Sequence, residues 1–378
     1  MAKDLIEKIG IDKSEIKDFW VLYVDFLKLR KHDNVILEGK EGMAYELKDG
    51  KSFGKLQIND NVWFGTFLVE MRKGGNGCFV YTKMDVFVGN EETGNLNNLS
   101  VMEYKERIEF IKRYLQEEYG VFIDICKARI RKMEINCTFE IAEEFYKYHR
   151  ALRLMMFNMS DDSEKTMTVE KNNKKEQSIE SETFYYGNNR WQIKIYDKKR
   201  QLEDTMGYEC DIYIMRIEII LKNSQKVNEV IKKKLLLEIT DDMIVNFFMK
   251  QFRNLVEKKY KKWRKDNKKQ LNELITFHKR KSRNNWHKNL LNECRNTELK
   301  KRVPIILELD DLFEQIKLLE KGRHFSRVKK SIENICEEDD VFLQNDSKKI
   351  EEIISKVNRI YDDYINEESN VVTVSGEC

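Results

Sequence analysis

The sequence predicts an α+β protein: an antiparallel sheet with packed helices, followed by a mainly α-helical C-terminal region. Two observations carry this. Between residues 127 and 222 several runs alternate apolar and polar side chains with a period of two, as half-buried strands do. Elsewhere, and almost throughout from residue 240 onward, apolar residues recur at intervals of three and four, as on one helix face.

The elements follow in order. The stretch 18–29 (DFWVLYVDFLKL) is rich in strand formers, and so are 64–71 and 78–88. Lys73-Gly74-Gly75-Asn76-Gly77 joins the last two as a hairpin turn, and no Gly-Lys-Ser/Thr follows to make it a phosphate loop. A helix is expected over 100–119. Ser100 and Glu103 form a capping box, Gly120 suits the C′ position, and Tyr104, Ile108, Ile111 and Leu115 make one stripe. A strand at about 127–138 precedes a helix at about 140–157, with Ala142, Phe145, His149, Leu152 and Met156 on one face. His149 in that stripe reads as a packed core histidine. Residues 160–182 are polar and aperiodic, as in a mobile surface loop. Strands are expected at 183–187, 190–199 and 211–222. Thr240, Asp241 and Asp242 open a long helix carrying Ile244, Phe247, Phe248, Leu255 and Tyr260. A last helix, 348–366, places Ile350, Ile354, Val357, Tyr361 and Tyr364 together, and the tail after Glu367 looks frayed.

Composition narrows the class. The 378 residues suit two or three domains, and 41% hydrophobic content supports a sizeable core. No apolar run reaches the ~20 residues of a membrane span. The N-terminal Met1-Ala2-Lys3-Asp4 has no secretory character. Seven scattered cysteines form no CxxC pair, which argues against a zinc site or a disulfide framework and for a reducing cytoplasm.

The segment RWQIKIYDKK (190–199) carries the chemistry. Ile193 and Ile195 face one way. Arg190, Gln192, Lys194, Tyr196 and Lys198 face the other. A tyrosine between two lysines on one face suits attack on a phosphodiester: the ammonium groups would favour phenolate and hold a phosphate beside it. In 215–222, Met215, Ile217, Ile219 and Leu221 oppose Arg216, Glu218 and Lys222. In 130–138, Met133, Ile135 and Cys137 oppose Lys132, Glu134, Asn136 and Thr138. If these strands share a sheet, Glu134, Glu218 and Asn136 could hold Mg²⁺ or Mn²⁺, ions that prefer oxygen ligands. Tyr196, Lys198, Lys194 and Arg216 would then be the catalytic group. The same alternation also describes any half-exposed sheet with cross-strand Lys–Glu pairs.

The net charge of +3 conceals an uneven distribution. Between Lys258 and Lys288 thirteen Lys and Arg stand against Asp266 and Glu273, a net of +11, so the rest of the chain carries −8. Lys258, Lys259, Lys261, Lys262, Arg264, Lys265, Lys279, Arg280, Lys281 and Arg283 are candidate phosphate contacts. Tyr260, Trp263, His278 and Trp286 are interleaved, with Trp263 a candidate for base stacking. The plain alternative is a solvated helix face with Trp263 and Trp286 in the core.

These segments resemble the gene II/X-type rolling-circle replication initiators of filamentous phages and plasmids. The resemblance rests on Lys132-Met133-Glu134, on Phe184-Tyr185-Tyr186-Gly187 followed by Ile195-Tyr196-Asp197-Lys198 with Glu203, on Met215-Arg216-Ile217-Glu218 with Lys222, and on RNNWHKNLLNEC (283–294). It covers roughly residues 60–320. The related transposition-like plasmid initiators are similar over 183–222. The resemblance implies a catalytic domain of the initiator type. It implies that Tyr196 nicks one DNA strand at an origin with Mg²⁺, through a phosphotyrosine intermediate, leaves a 3′-OH primer and later rejoins the strand. Two departures stand out: the family's Arg and Asp are Lys132 and Glu134 here. The five histidines also form no His-hydrophobic-His pair, which excludes the His-dyad metal site.

The expected organisation is a catalytic nicking domain (1–225), a basic helical DNA-binding region (226–325) and a helical accessory segment (326–378). The expected partners are origin DNA, as duplex, hairpin and single strand, and the host helicase and replication machinery, with no membrane. Two alternatives remain: a non-catalytic sequence-specific DNA-binding protein of replication or copy control, and a structural or RNA-binding protein.

Overall fold

The computed structural model describes the chain except for residues 1–6, 39–44, 47–51, 61–62, 75–76, 88–97, 159–165, 172–181, 208–210, 233, 283, 302–304, 307–308, 338–345 and 375–378. Its strands are β1 (Lys8–Lys17), β2 (Trp20–Val24), β3 (Val35–Glu38), β4 (Tyr45–Glu46), β5 (Ser52–Phe53), β6 (Lys55–Asn59), β7 (Phe64–Gly74), β8 (Gly77–Phe87), β9 (Val121–Asp124) and β10 (Arg129–Ile141). They continue as β11 (Thr166–Lys171), β12 (Glu182–Gly187), β13 (Trp191–Asp197) and β14 (Tyr213–Leu221). The chain forms two compact units that interleave along the sequence. The first comprises residues 1–140, 187–210 and 215–249, the second residues 141–186, 211–214 and 250–378.

The first unit is built on a sheet in the order β13-β14-β10-β1-β8-β7-β6-β3. Its hairpin β7–β8 closes at Gly74 opposite Gly77, where the glycine-rich link predicts a turn. The helix Val101–Tyr119 has the expected capping box, with Glu103 N donating to Ser100 Oγ (3.2 Å) and Ser100 N to Glu103 Oε2 (2.7 Å). It ends at Gly120 with φ +68°, where a side chain would stand 2.7 Å from Asp25 Cβ. Tyr104, Ile108, Ile111 and Leu115 are fully buried, the two Ile and Leu contributing about 1.5–3 kcal/mol each. Tyr104 hydrogen-bonds Ser14 on β1, so this helix covers the side of the sheet that carries Ser14.

The pairing of β1 with β10 is interrupted twice, between Ile11 and Lys13 and between Glu15 and Ile16. Asp12 is the extra residue at the first interruption. The bulge shifts the phase of the strand, so that Ile9, Ile11, Ser14 and Ile16 all lie opposite Cys137, Ile135, Met133 and Ile130 on the helix-covered side. Lys13, Glu15 and Lys17 lie opposite Glu134, Lys132 and Arg129 on the other side. The expected division of 130–138 into an apolar and a polar face is therefore present.

The second unit contains the helices His149–Asn158, Lys258–Lys281, Trp286–Lys301, Leu309–Leu319, Gly322–Glu337 and Asp346–Val374. Leu271, Ile275, Trp286, Leu290, Leu312, Ile316, Ile332 and Cys336 form one core. Glu352 accepts from the Ala142 amide (2.9 Å) and the Tyr148 hydroxyl (2.6 Å), tying the last helix to the segment before His149–Asn158.

Several expectations change. The strand at β10 runs to Ile141 and a 3₁₀ turn covers Phe145–Tyr148, so helix begins at His149 and Ala142 is exposed. Phe145, His149, Leu152 and Met156 are buried as expected. The His149 ring lies edge-on to Phe145 and Phe184, and burial lowers its pKa to about 4. The last helix buries Ile350, Ile353, Val357 and Ile360, with Ile354, Tyr361 and Tyr364 half-buried. The stripe is rotated by one position, and the helix continues past Glu367. Within the expected loop 160–182, residues 166–171 form β11, and most of the remainder lies outside the described residues.

Candidate active site

Four strands and the start of one helix meet on the sheet side opposite Ser14. The register of β13 with β14 sets Lys194 across from Glu218 and Tyr196 across from Arg216. The Tyr196 hydroxyl donates diagonally to Glu218 Oε1 at 2.6 Å. Lys194 Nζ donates to Glu218 Oε2 at 3.2 Å and stands 4.0 Å above the Tyr196 ring. Arg216 is fully buried. It donates from Nε to Thr138 Oγ1 (2.7 Å) on β10 and from Nη1 to Asp12 Oδ2 (3.3 Å) on β1.

Asp12, Glu134 and Glu218 thus converge from β1, β10 and β14, with ligand-capable oxygens all within 4.8 Å of one another. Glu134 and Glu218 are expected members. Asp12 is not legible in the sequence, because its bulge breaks the alternation over 8–17 that would have marked a strand. Asn136, also expected as a ligand, is buried two residues along β10 from Glu134. Its Oδ1 accepts from Thr138 Oγ1 at 3.4 Å.

The electrostatics follow from burial. Burial and the neighbouring Glu218 and Asp12 raise the Glu134 pKa to about 7. Burial raises that of Asp12 against the pull of Arg216. For Glu218 burial acts upward too, but Lys194, Arg216 and the Tyr196 hydrogen bond outweigh it and hold the carboxylate low. Lys198 is not on the strand. Asp197 caps the helix Lys198–Met206 at the Arg200 amide (3.0 Å), and Lys198 is its first residue, buried, with Nζ donating to Gln201 Oε1 at 2.9 Å. Burial and Arg216 lower its pKa to about 7.

One expectation is reversed. Flanking lysines do not make Tyr196 a phenolate. Burial raises its pKa well above 10, and Glu218 and Asp12 add to this against Arg216. Lys194 pairs with the carboxylate and lies over the ring. The face expected to be half exposed is in fact enclosed at Tyr196, Arg216 and Glu218.

The basic segment lies in the second unit, mostly on the helix Lys258–Lys281. Lys258, Lys261, Lys262, Lys265, Arg280 and Lys281 are exposed, and Lys259 is half-buried. Arg264 is paired with Glu351 and Asp311, and Lys279 with Glu320 (2.9 Å), so both hold helices within the unit. Tyr260, His278 and Trp286 are buried and unavailable for base stacking. Trp263 is half-buried, stacked on Tyr260. Arg283 lies outside the described residues.

No family model and no curated protein matches the chain. Among solved structures, a rolling-circle replication initiator protein from Geobacillus stearothermophilus aligns at 14% identity and a TM-score of 0.33, covering 65% of this chain and 84% of that one. Among the described residues no helix is long and apolar enough to cross a membrane.

Proposed function

We propose that this chain is a replication initiator of the rolling-circle type, a DNA endonuclease and strand transferase that attacks one strand through Tyr196. The observation that carries the reading is the join of a buried tyrosine to a three-carboxylate cluster by the 2.6 Å hydrogen bond to Glu218. The gene II/X-like order of the motifs agrees with it.

The cluster suits a divalent metal. Three hard oxygen donors converge, Asp12 Oδ1 is buried with no hydrogen-bond partner among the described residues, and burial together with the mutual repulsion of the carboxylates raises the pKa values of two of the three. Mg²⁺ or Mn²⁺ held by Asp12, Glu134 and Glu218 would polarise the scissile phosphate.

The residues of the chain supply the rest. Tyr196 Oη attacks the phosphorus and passes its proton to Glu218 Oε1, the acceptor it already touches. The bond from phosphorus to the 3′ oxygen breaks, and Lys198 Nζ gives that oxygen a proton, leaving a 3′-OH and a DNA 5′-phosphotyrosine. Lys198, poised near pH 7, suits that transfer. Arg216 braces Asp12 and Thr138 and adds positive charge beside the phenol. Lys194 fixes Glu218. Rejoining is the reverse reaction, with the 3′-OH as nucleophile. Asn136 accepts from Thr138 and helps to position it. The basic helical region is the candidate duplex-binding surface, and a helicase partner is part of the same proposal.

A covalent trap tests the reading. Replicon-derived single-stranded oligonucleotides with Mg²⁺ are expected to give a protein–DNA adduct with the wild type and none with Tyr196→Phe. An equal adduct from Tyr196→Phe rules the assignment out. Glu134→Ala and Glu218→Ala should abolish the adduct while DNA binding persists. Loss of binding as well would make them structural, and binding without any adduct in the wild type would favour a non-catalytic copy-control protein.

A further inference from the structure

We propose that Trp20 is a stacking platform for an unpaired base of single-stranded DNA, at the far end of a cationic track that leads from the carboxylate cluster along β1 and β10. This deepens the reading above and takes the direction of the strand from it.

Trp20 is 54% exposed, whereas the other four tryptophans are half-buried or buried. Its presentation is built into the fold. Phe19 and Val21 on either side are anchored in the core, and Asp18 turns the chain out of β1 with φ +62°, a conformation non-glycine residues rarely adopt. Two clefts, of about 300 and 440 Å³, share Asp18 and Trp20 as walls. Phe19, Val80 and Thr82 complete one, and Lys127, Arg129 and Leu235 the other. The Lys127 ammonium stands 4.9 Å from the centre of the Trp20 ring. The site therefore offers a largely exposed indole with one face under the Lys127 ammonium, flanking apolar surface and fixed positive charge.

Cations continue from there toward the cluster. Arg129 faces Lys17 across β10 and β1, and Lys17 faces Lys83 across β1 and β8, a row of three cations over three adjacent strands. The next row is organised by Glu15, which is contacted by Lys83 (3.4 Å), Lys132 (3.3 Å) and Arg131. Asp18 and Asp85 offset part of this charge through Lys17 (3.5 Å) and Lys83 (3.1 Å). Lys132 is two residues from Glu134 on the same side of β10, and the six steps from Asp12 to Asp18 span roughly 20 Å. A polyanion suits the cations, and a ring that stacks suits the indole. A base held in a duplex has no open face to offer, so an unpaired strand meets both requirements.

The test is binding of fluorescein-labelled (dT)20 by anisotropy, with no cleavage step. Trp20→Ala is expected to weaken binding about tenfold or more, the usual scale for one stacked base. Trp20→Phe should restore most of the affinity, and a 20-unit abasic oligonucleotide should bind wild type and Trp20→Ala alike. Anisotropy reads binding alone, and the adduct trap reads cleavage. The nicking assignment can thus fail in the adduct trap while this one stands, or the reverse. Equal (dT)20 binding by Trp20→Ala, an equal loss on the abasic backbone, or no rescue by Trp20→Phe overturns the proposal. Tighter binding of (rU)20 than of (dT)20 overturns its assignment to DNA.

Discussion

Glu134 should make the metal-free protein less stable as the pH rises, and removing its charge should reverse this. Its pKa in the folded chain is about 7, against 4.5 for an unperturbed glutamate, because it is buried and faces Glu218 and Asp12. Between these values the folded state keeps a proton that the unfolded state has lost. Stability is therefore fully present below about pH 4.5, falls as pH rises through about 7, and stays lower above it. A shift of about 2.5 units corresponds to about 3 kcal/mol at pH 8. Glu134→Gln keeps the shape and removes the charge, so at pH 8 in EDTA it should be more stable than the wild type by about that amount. Near 2–4 °C per kcal/mol, its first thermal transition should rise by roughly 6–12 °C. At pH 5 the two proteins should melt within a few degrees of each other. Added Mg²⁺ should stabilise the wild type at pH 8 and Glu134→Gln far less, since a metal would relieve the same repulsion. Calorimetry at the two pH values, with and without Mg²⁺, checks all three. A Glu134→Gln protein no more stable than wild type at pH 8 would refute the reasoning, since the carboxylates would not then be in conflict.

Three further outcomes follow from the same geometry. Lys198 as the proton donor predicts that kcat/KM for nicking falls as pH rises through about 7, and that Lys198→Arg flattens this limb; an unchanged limb would place the donor elsewhere. Arg216→Met should destabilise the fold by about 3–5 kcal/mol in chemical denaturation, because it strips the buried Asp12 of its partner, and Asp12→Asn should recover much of the loss in the double variant. Replacing exposed Lys262, Lys265 and Lys269 by Ala should reduce the slope of log K against log [salt] for duplex binding by up to about 3, whereas an unchanged slope would remove this helix face from the interface.

Most of the fold was legible where side chains repeat with one period. The capping box at Ser100, the stripe of the helix behind it, and the alternation in β10, β13 and β14 are local, and each survives in the structure because burial acts on the same residues the pattern marks. The last helix was misphased by one position because Ile353, Ile354, Ile360 and Tyr361 are adjacent apolar pairs. A local pattern cannot choose between neighbours; the packing partner does. Interleaved tyrosine, histidine and tryptophan in the basic segment looked available for stacking, but Tyr260, His278 and Trp286 are its buried stripe.

The residue types of the candidate chemistry, a tyrosine between lysines and carboxylates on neighbouring polar faces, were determined by the sequence alone. Their ionisation was decided by tertiary structure. Enclosure in a place of low dielectric raises the Tyr196 phenol, lowers Lys198 toward neutrality and sets Glu134 against its neighbours, and none of these environments exists along a single strand. Asp12 belongs to the same category. A bulge is a misfit between two paired strands, so the third carboxylate of the cluster becomes visible only when β1 is laid against β10.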